Sequence, residues 1–152
     1  MSRIQELYQE VILDHNKNPR NFKALEAPTH RCHGHNPLCG DDYWVELKVS
    51  PSQTIENITF HGDGCAISKA SGSLMTHTLN GKTVQEALKL KDQFIQLVTQ
   101  DQLEIETKNS LGRLAVFEGV KKFPVRVKCA ALVWRALEGA LANEQNTKIS
   151  TE

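Results

Sequence analysis

The stretch D-Y-W-V-E-L-K-V-S-P-S-Q-T-I-E-N-I-T-F-H-G-D-G-C-A-I-S, residues 42–68, decides the fold. Tyr43–Val49 alternates as Y-W-V-E-L-K-V, and Ile55–His61 reads I-E-N-I-T-F-H. A period of two marks half-buried strands. The short S-P-S-Q-T between them makes an antiparallel hairpin the natural connection. Gly62 and Gly64 break the second strand just before Cys65. From Cys65 to Leu79 the period turns helical, with Ile67, Ala70, Leu74 and Thr78 on one face. Strands early and helices late predict an α+β domain.

Upstream, Ser2–His15 carries Ile4, Leu7, Tyr8, Val11 and Ile12 as one helical stripe, stopped at Pro19. A polar loop rich in His, Asn and Pro is expected from about Glu26 to Asp42. Downstream, Asn80 and Gly81 end the helix that Cys65 opens. Thr83 to Glu86 is a T-x-x-E capping box that starts another, with Val84, Ala87, Leu88, Ile95 and Val98 on its stripe. Asp101–Asn109 is polar without a clear period, and Ser110–Gly119 holds a short helix. Phe123-Pro124 reads as a break. A final helix is expected from about Cys129 to Asn143. The chain reads as one domain over residues 1–143, with a flexible tail at 144–152.

Lys plus Arg and Asp plus Glu both number 18, so the formal net charge is zero. No basic excess argues for a nucleic-acid partner. No apolar run approaches the length of a membrane span, and M-S-R-I-Q-E-L-Y carries no signal-peptide core, so a cytoplasmic protein is expected. Four cysteines in such a chain point to metal binding or reactivity before disulfides.

Three of them stand at element boundaries: Cys39 in N-P-L-C-G-D-D, Cys65 in G-D-G-C-A-I-S, and Cys129 in R-V-K-C-A. Asp41 lies two places after the first. Three thiolates and a carboxylate make a four-ligand set for a tetrahedral divalent metal such as zinc. Thiolates at helix starts are also nucleophiles. Each cysteine alone fits a small buried apolar residue. The three together, each beside Gly, Asp or Lys, weaken that reading, although their spacing matches no generic zinc-finger rule. Lys128 and Arg126 are candidates to support the Cys129 thiolate, or are solvated charges. His30, Cys32, His33 and His35 form a rival local cluster, read here as a solvated loop. His61 and His77 read as ordinary surface or half-buried residues.

Four separated motifs then carry a resemblance. They are L-Y-x-x-V-I-L-D-H-x-x-N-P-R-N from Leu7, N-P-x-C-G-D from Asn36, F-x-G-x-G-C-A-I-S-x-A-S from Phe60 and K-F-P-x-R-x-K-C-A from Lys122. In this order they resemble the iron–sulfur cluster assembly proteins of the IscU/NifU N-terminal type, in particular the SufU branch, over Leu7 to about Leu141. The resemblance implies a SufE/IscU-like fold: a small three-stranded antiparallel sheet packed by helices. It implies Cys39, Asp41, Cys65 and Cys129 as the metal ligands. Lys128 stands where IscU-type scaffolds carry a histidine, and an insertion spans about Asp101–Glu118. Both features point to the SufU branch.

That branch implies a bound zinc ion and sulfur taken from a pyridoxal-phosphate cysteine desulfurase of the SufS type. Cys39 is expected to be the persulfide acceptor, on the most mobile loop. Downstream recipients would be a cluster assembly scaffold or apo-proteins. The alternatives are a non-enzymatic scaffold that builds a transient [2Fe–2S] cluster on the same residues, and a domain whose zinc is purely structural. Cys32 lies outside the ligand set.

Overall fold

The computed structural model describes residues 3–142 and 147–150. Helix α1 spans Arg3–Lys17. Strands β1 (His30–Asn36), β2 (Asp41–Val49) and β3 (Ile55–Asp63) follow. Then come α2 (Ala66–Leu79), α3 (Val84–Thr99), α4 (Ile105–Leu111), a 3-10 segment at Gly112–Val120, α5 (Pro124–Leu141) and β4 (Thr147–Ser150).

Strands β1, β2 and β3 make the expected three-stranded antiparallel sheet, and β4 adds a fourth, parallel to β1, in the order β3-β2-β1-β4. Trp44 pairs with His61 and Val45 with Phe60 across the β2–β3 hairpin. The alternation sends Tyr43, Val45, Leu47, Ile58 and Phe60 into the core, all fully buried. Each large side chain withdrawn from water contributes roughly 1.5–3 kcal/mol before conformational entropy is counted.

Helices α2 and α5 cover that face. Helix α5 packs on β1 and β2 and carries buried Trp134, whose ring stacks on Phe94 of α3 at 4.7 Å. Its indole N–H donates to Ser71 Oγ at 3.2 Å, and that hydroxyl donates to the Ala130 carbonyl at 2.7 Å. One hydroxyl thus satisfies the polar atoms where α2, α3 and α5 meet. Helix α1 is tied to α2 by buried His15, whose Nδ1 lies 2.6 Å from Ser73 Oγ. Burial pushes His15 down to about 4, so the ring stays neutral there. The Thr83–Glu86 capping box opens α3 as expected.

Four features depart from the sequence reading. The polar loop expected at Glu26–Asp42 contains β1. Its inward positions are Cys32, Gly34 and Asn36, all fully buried or nearly so, and none of them writes an apolar alternation. Gly34 is set by packing: a Cβ there would stand 3.1 Å from Leu132 Cδ1 and 3.3 Å from Ala136 Cβ of α5. The last helix begins at Pro124, not near Cys129. Proline suits the first turn, where its missing N–H has no partner to lose. The patternless stretch after Asp101 holds α4. The tail expected at 144–152 lies outside the described residues at 144–146 and 151–152, and between them Thr147–Ser150 forms β4. No helix among the described residues is long and apolar enough to cross a membrane.

Candidate metal and sulfur centre

Four segments converge at one end of the sheet. Cys39 sits in the connection of residues 37–40 between β1 and β2, and Asp41 is the first residue of β2. Cys65 is the N-cap of α2, and Cys129 lies in the second turn of α5. Cys39 Sγ is 3.1 Å from Cys129 Sγ. Ligand atoms of Cys39, Asp41 and Cys129 all lie within 4.8 Å of one another. Asp41 Oδ2 is 3.8 Å from Cys65 Sγ, and Asp41 Oδ1 accepts the Cys65 backbone N–H at 2.8 Å. Asp41 and Cys129 are buried, whereas Cys39 and Cys65 are half-buried.

Local structure fixes each donor. The Cys65 thiol accepts the Ser68 backbone N–H at 3.4 Å, taking one of the orphan donors of the α2 N-terminus. Gly64 keeps the approach open, since a Cβ there would crowd Ser68 Oγ and Asp41 Oδ1 at 2.6 and 2.7 Å. Gly62 turns β3 into the site at φ 141°, a backbone conformation that side chains resist.

The connection carrying Cys39 is closely tied. Asn36 Oδ1 accepts the Leu38 N–H at 3.2 Å, and the Asn36 carbonyl accepts the Gly40 N–H at 2.9 Å. Asn36 also turns its amide on the sulfurs, with Nδ2 3.4 Å from Cys39 Sγ and 3.9 Å from Cys129 Sγ. Sequence reasoning missed Asn36. Its signal was the N-P-x-C spacing, which gains meaning only once β1 is known to end there.

The thiols share their charge unequally. A hydrogen bond from Cys129 and the Ser68 N–H hold Cys65 down, to about 6, against burial. Cys129 is pushed well above the ordinary thiol range, first by donating to Cys65, then by burial and by Cys39 and Asp41. Three thiols and a carboxylate crowded this closely keep a proton because nothing else balances their charge. A divalent cation is the partner such a donor set fits. Thiolates about 2.3 Å from a tetrahedral zinc ion stand about 3.8 Å apart, so a slight opening of the Cys39–Cys129 pair would admit one.

The other candidates fall elsewhere. Cys32 points into the core, fully buried, away from the centre, and not into a solvated loop. Arg126 is exposed, with its guanidinium 4.4 Å over the Phe123 ring, and Lys128 is half-buried on α5. Among the described residues, neither makes a hydrogen bond or ion pair with a cysteine. Their placement in α5, not in an extended lead-in, aims them along the helix surface.

Residues 7–143 match the model of the NifU-like N-terminal domain. The zinc-dependent sulfurtransferase SufU of Bacillus subtilis is 38% identical over 144 residues, covering 95% of each chain. The iron–sulfur cluster assembly scaffold protein IscU of Streptococcus pyogenes serotype M1 is 38% identical over 152 residues, covering 100% of this chain and 93% of its own. A solved structure from Fervidobacterium islandicum AW-1, described as a candidate cluster assembly scaffold for the SUF system, superposes with a TM-score of 0.81 at 34% identity, covering 90% of this chain and 98% of its own.

Proposed function

The chain belongs to the NifU-like N-terminal domain family, a family of iron–sulfur cluster assembly proteins, and on that footing we propose that it is a zinc-bound sulfur acceptor. Cys39, Asp41, Cys65 and Cys129 are the zinc ligands in this reading. Bound zinc would hold the sulfurs as thiolates near neutral pH and shield them from oxidation. The observation that supports the reading is that Cys39, Asp41 and Cys129 lie within 4.8 Å of one another, with Asp41 buried and its Oδ2 3.8 Å from Cys65 Sγ.

Cys39 is the acceptor. It sits at the solvent edge beside Leu38, which is 61% exposed, while Cys65 is bound into a helix cap and Cys129 is buried. The partner is a pyridoxal-phosphate cysteine desulfurase of the SufS type bearing a cysteine persulfide. The Cys39 thiolate attacks the outer sulfur of that persulfide. A new S–S bond forms on Cys39, the old one breaks, and the desulfurase cysteine leaves as a thiolate. The Asn36 amide stays in place beside the reacting sulfur. Recipients downstream are a cluster scaffold or apo-proteins, and the setting is cytoplasmic.

Lys128 favours a carrier over a scaffold. A histidine there offers a neutral nitrogen ligand, whereas a lysine ammonium has three donors and no lone pair to offer a metal. The scaffold reading keeps support from the Streptococcus relative, which is similar over its whole length and is named for that role.

The test incubates the zinc-loaded protein with desulfurase and cysteine, and reads persulfide on Cys39 by mass spectrometry with zinc retained. Asp41→Ala should weaken zinc binding and reduce sulfur acceptance. A persistent stoichiometric [2Fe–2S] spectrum on anaerobic addition of iron, with no persulfide on the zinc form, would overturn the carrier reading in favour of the scaffold.

A further inference from the structure

The outer face of the sheet carries a second constellation, independent of the thiolate centre. Strand alternation places His33 and His35 of β1 on one face, two residues apart, opposite the face that buries Cys32, Gly34 and Asn36. Asp42 of β2 pairs directly with His35 in register. Its carboxylate lies between the two rings: Oδ1 is 2.5 Å from His33 Nε2, and Oδ2 is 3.3 Å from His35 Nδ1. The His35 nitrogen is shielded from water and makes no hydrogen bond at that separation. It is a lone pair or a proton lacking a well-aligned partner.

Second contacts orient the donors. The His33 ring stacks on Trp44 at 4.8 Å and 13°, and the Arg31 guanidinium sits 4.0 Å over the same indole. Arg31 in turn lies 3.8 Å from Glu46, which also accepts His61 Nε2 at 3.0 Å. Glu46, Arg31 and His61 therefore balance one another in the neighbouring rows, and Asp42 is left to the two histidines. The carboxylate of Asp42 is 45% exposed, so water or an ion reaches it.

We propose that His33, His35 and Asp42 form a second binding site for a borderline divalent transition-metal ion such as zinc or nickel. Two donors two apart on one strand, with a third on the neighbouring strand, is a way for a sheet to aim three ligands at one point. Two imidazoles and a carboxylate suit zinc, nickel or copper(II) and select against calcium and magnesium. The ion sits between His33 Nε2 and the Asp42 carboxylate, and rotation of the His35 ring brings its Nδ1 onto it. Open positions go to water, as in sites with three protein ligands. A bound ion ties β1 to β2 beside the connection that carries Cys39.

Zinc alone is the probe, titrated calorimetrically into the full chain and checked by metal analysis. The wild type binds two ions, one tightly at the thiolates and one more weakly. His33→Ala and His35→Ala keep the tight ion, which also reports that they fold, and lose the weaker one. Asp42→Asn, of the same size, weakens the second event by at least about tenfold, the least expected for a lost ligand when outer partners alone cost roughly 10–100-fold. Cys65→Ser loses the tight event and keeps the weaker, which separates this site from the thiolate reading. Imidazole 15N shifts of His33 and His35 move with the second equivalent only. A single ion per wild-type chain, a second ion that persists in His35→Ala, or undiminished second binding in Asp42→Asn would overturn the proposal.

Discussion

Asp41 and Asp42 are neighbours in sequence and work on opposite sides of one sheet. Asp41 turns inward, fully buried among three thiols, and accepts a backbone N–H from Cys65. Asp42 turns outward, half-exposed between two histidines. The residue type is the same, and burial makes the difference. On the inner side the burial of Asp41 and Cys129 weakens screening by water, and the cysteines push one another's pKa values apart. On the outer side the Asp42 side chain is 45% exposed, and an ion pair open to water is worth roughly 0–1 kcal/mol. A metal on the inner side is therefore coupled to folding, and on the outer side it is an addition to a sheet already made.

The largest expected effect breaks the inner side. Cys65→Ser and Cys129→Ser each abolish zinc binding at the thiolates. They lower Tm by at least about 10 °C, taking roughly 3 °C per kcal/mol for a chain of this size and several kcal/mol of coupled metal binding. His33→Ala, on the outer side, shifts Tm by no more than about 3 °C by the same conversion. Scanning calorimetry with metal analysis checks both. Equal shifts on the two sides would dissolve the contrast.

Next in size is Gly34→Ala, which tests the β1 strand that both sides share. The added methyl meets Leu132 and Ala136 of α5 at 3.1–3.3 Å, tighter than ordinary contact. Overpacking of this kind costs about 1–3 kcal/mol. Denaturant titration should show that loss with zinc content unchanged. Wild-type stability would mean that α5 does not press on β1 as described.

That strand also marks where the sequence stopped being legible. Strands β2 and β3 announced themselves because Tyr43, Val45, Leu47, Ile58 and Phe60 write an apolar alternation. Strand β1 buries a cysteine, a glycine and an asparagine, so its alternation is one of size and contact, visible only once α5 is in place. The same blindness turned Cys32 into a loop residue and hid the common face of His33 and His35. Cys39, Asp41 and Cys65 were legible because glycines and a helix cap flag their turns. Cys129 was placed at a helix start because Phe123-Pro124 reads as an end, whereas Pro124 is the first residue of α5. Asn36 carried only its N-P-x-C spacing, because its role depends on where β1 ends.

Cys32→Ala follows at about 1 kcal/mol, the scale of a small core truncation. Cys32 lies inside the core and away from the thiolate centre, so the variant should keep one tight zinc ion and full sulfur acceptance while its urea midpoint falls. Zinc loss comparable to that of Cys65→Ser would bring Cys32 into the site and blur the inner boundary.

The smallest effect concerns Asn36, the last residue of β1, whose side chain sits on the inner side without being a ligand. Its Nδ2 reaches two sulfurs, at 3.4 and 3.9 Å, while its Oδ1 holds the Leu38 N–H. Hydrogen bonds to charged acceptors contribute up to about 1.5–3 kcal/mol, but these are long, so about 1 kcal/mol is the realistic scale. Asn36→Ala should therefore leave zinc bound, speed its loss to a competing chelator by about fivefold, and speed alkylation of Cys39 over Cys65. Asn36→Asp, of nearly the same shape, places a carboxylate where an amide donor faced two thiolates, so it should weaken zinc more than Asn36→Ala does. If instead Asn36→Asp retains zinc better than Asn36→Ala, the amide acts through loop geometry alone. The inner side would then owe its chemistry to the four ligands without help from their neighbour.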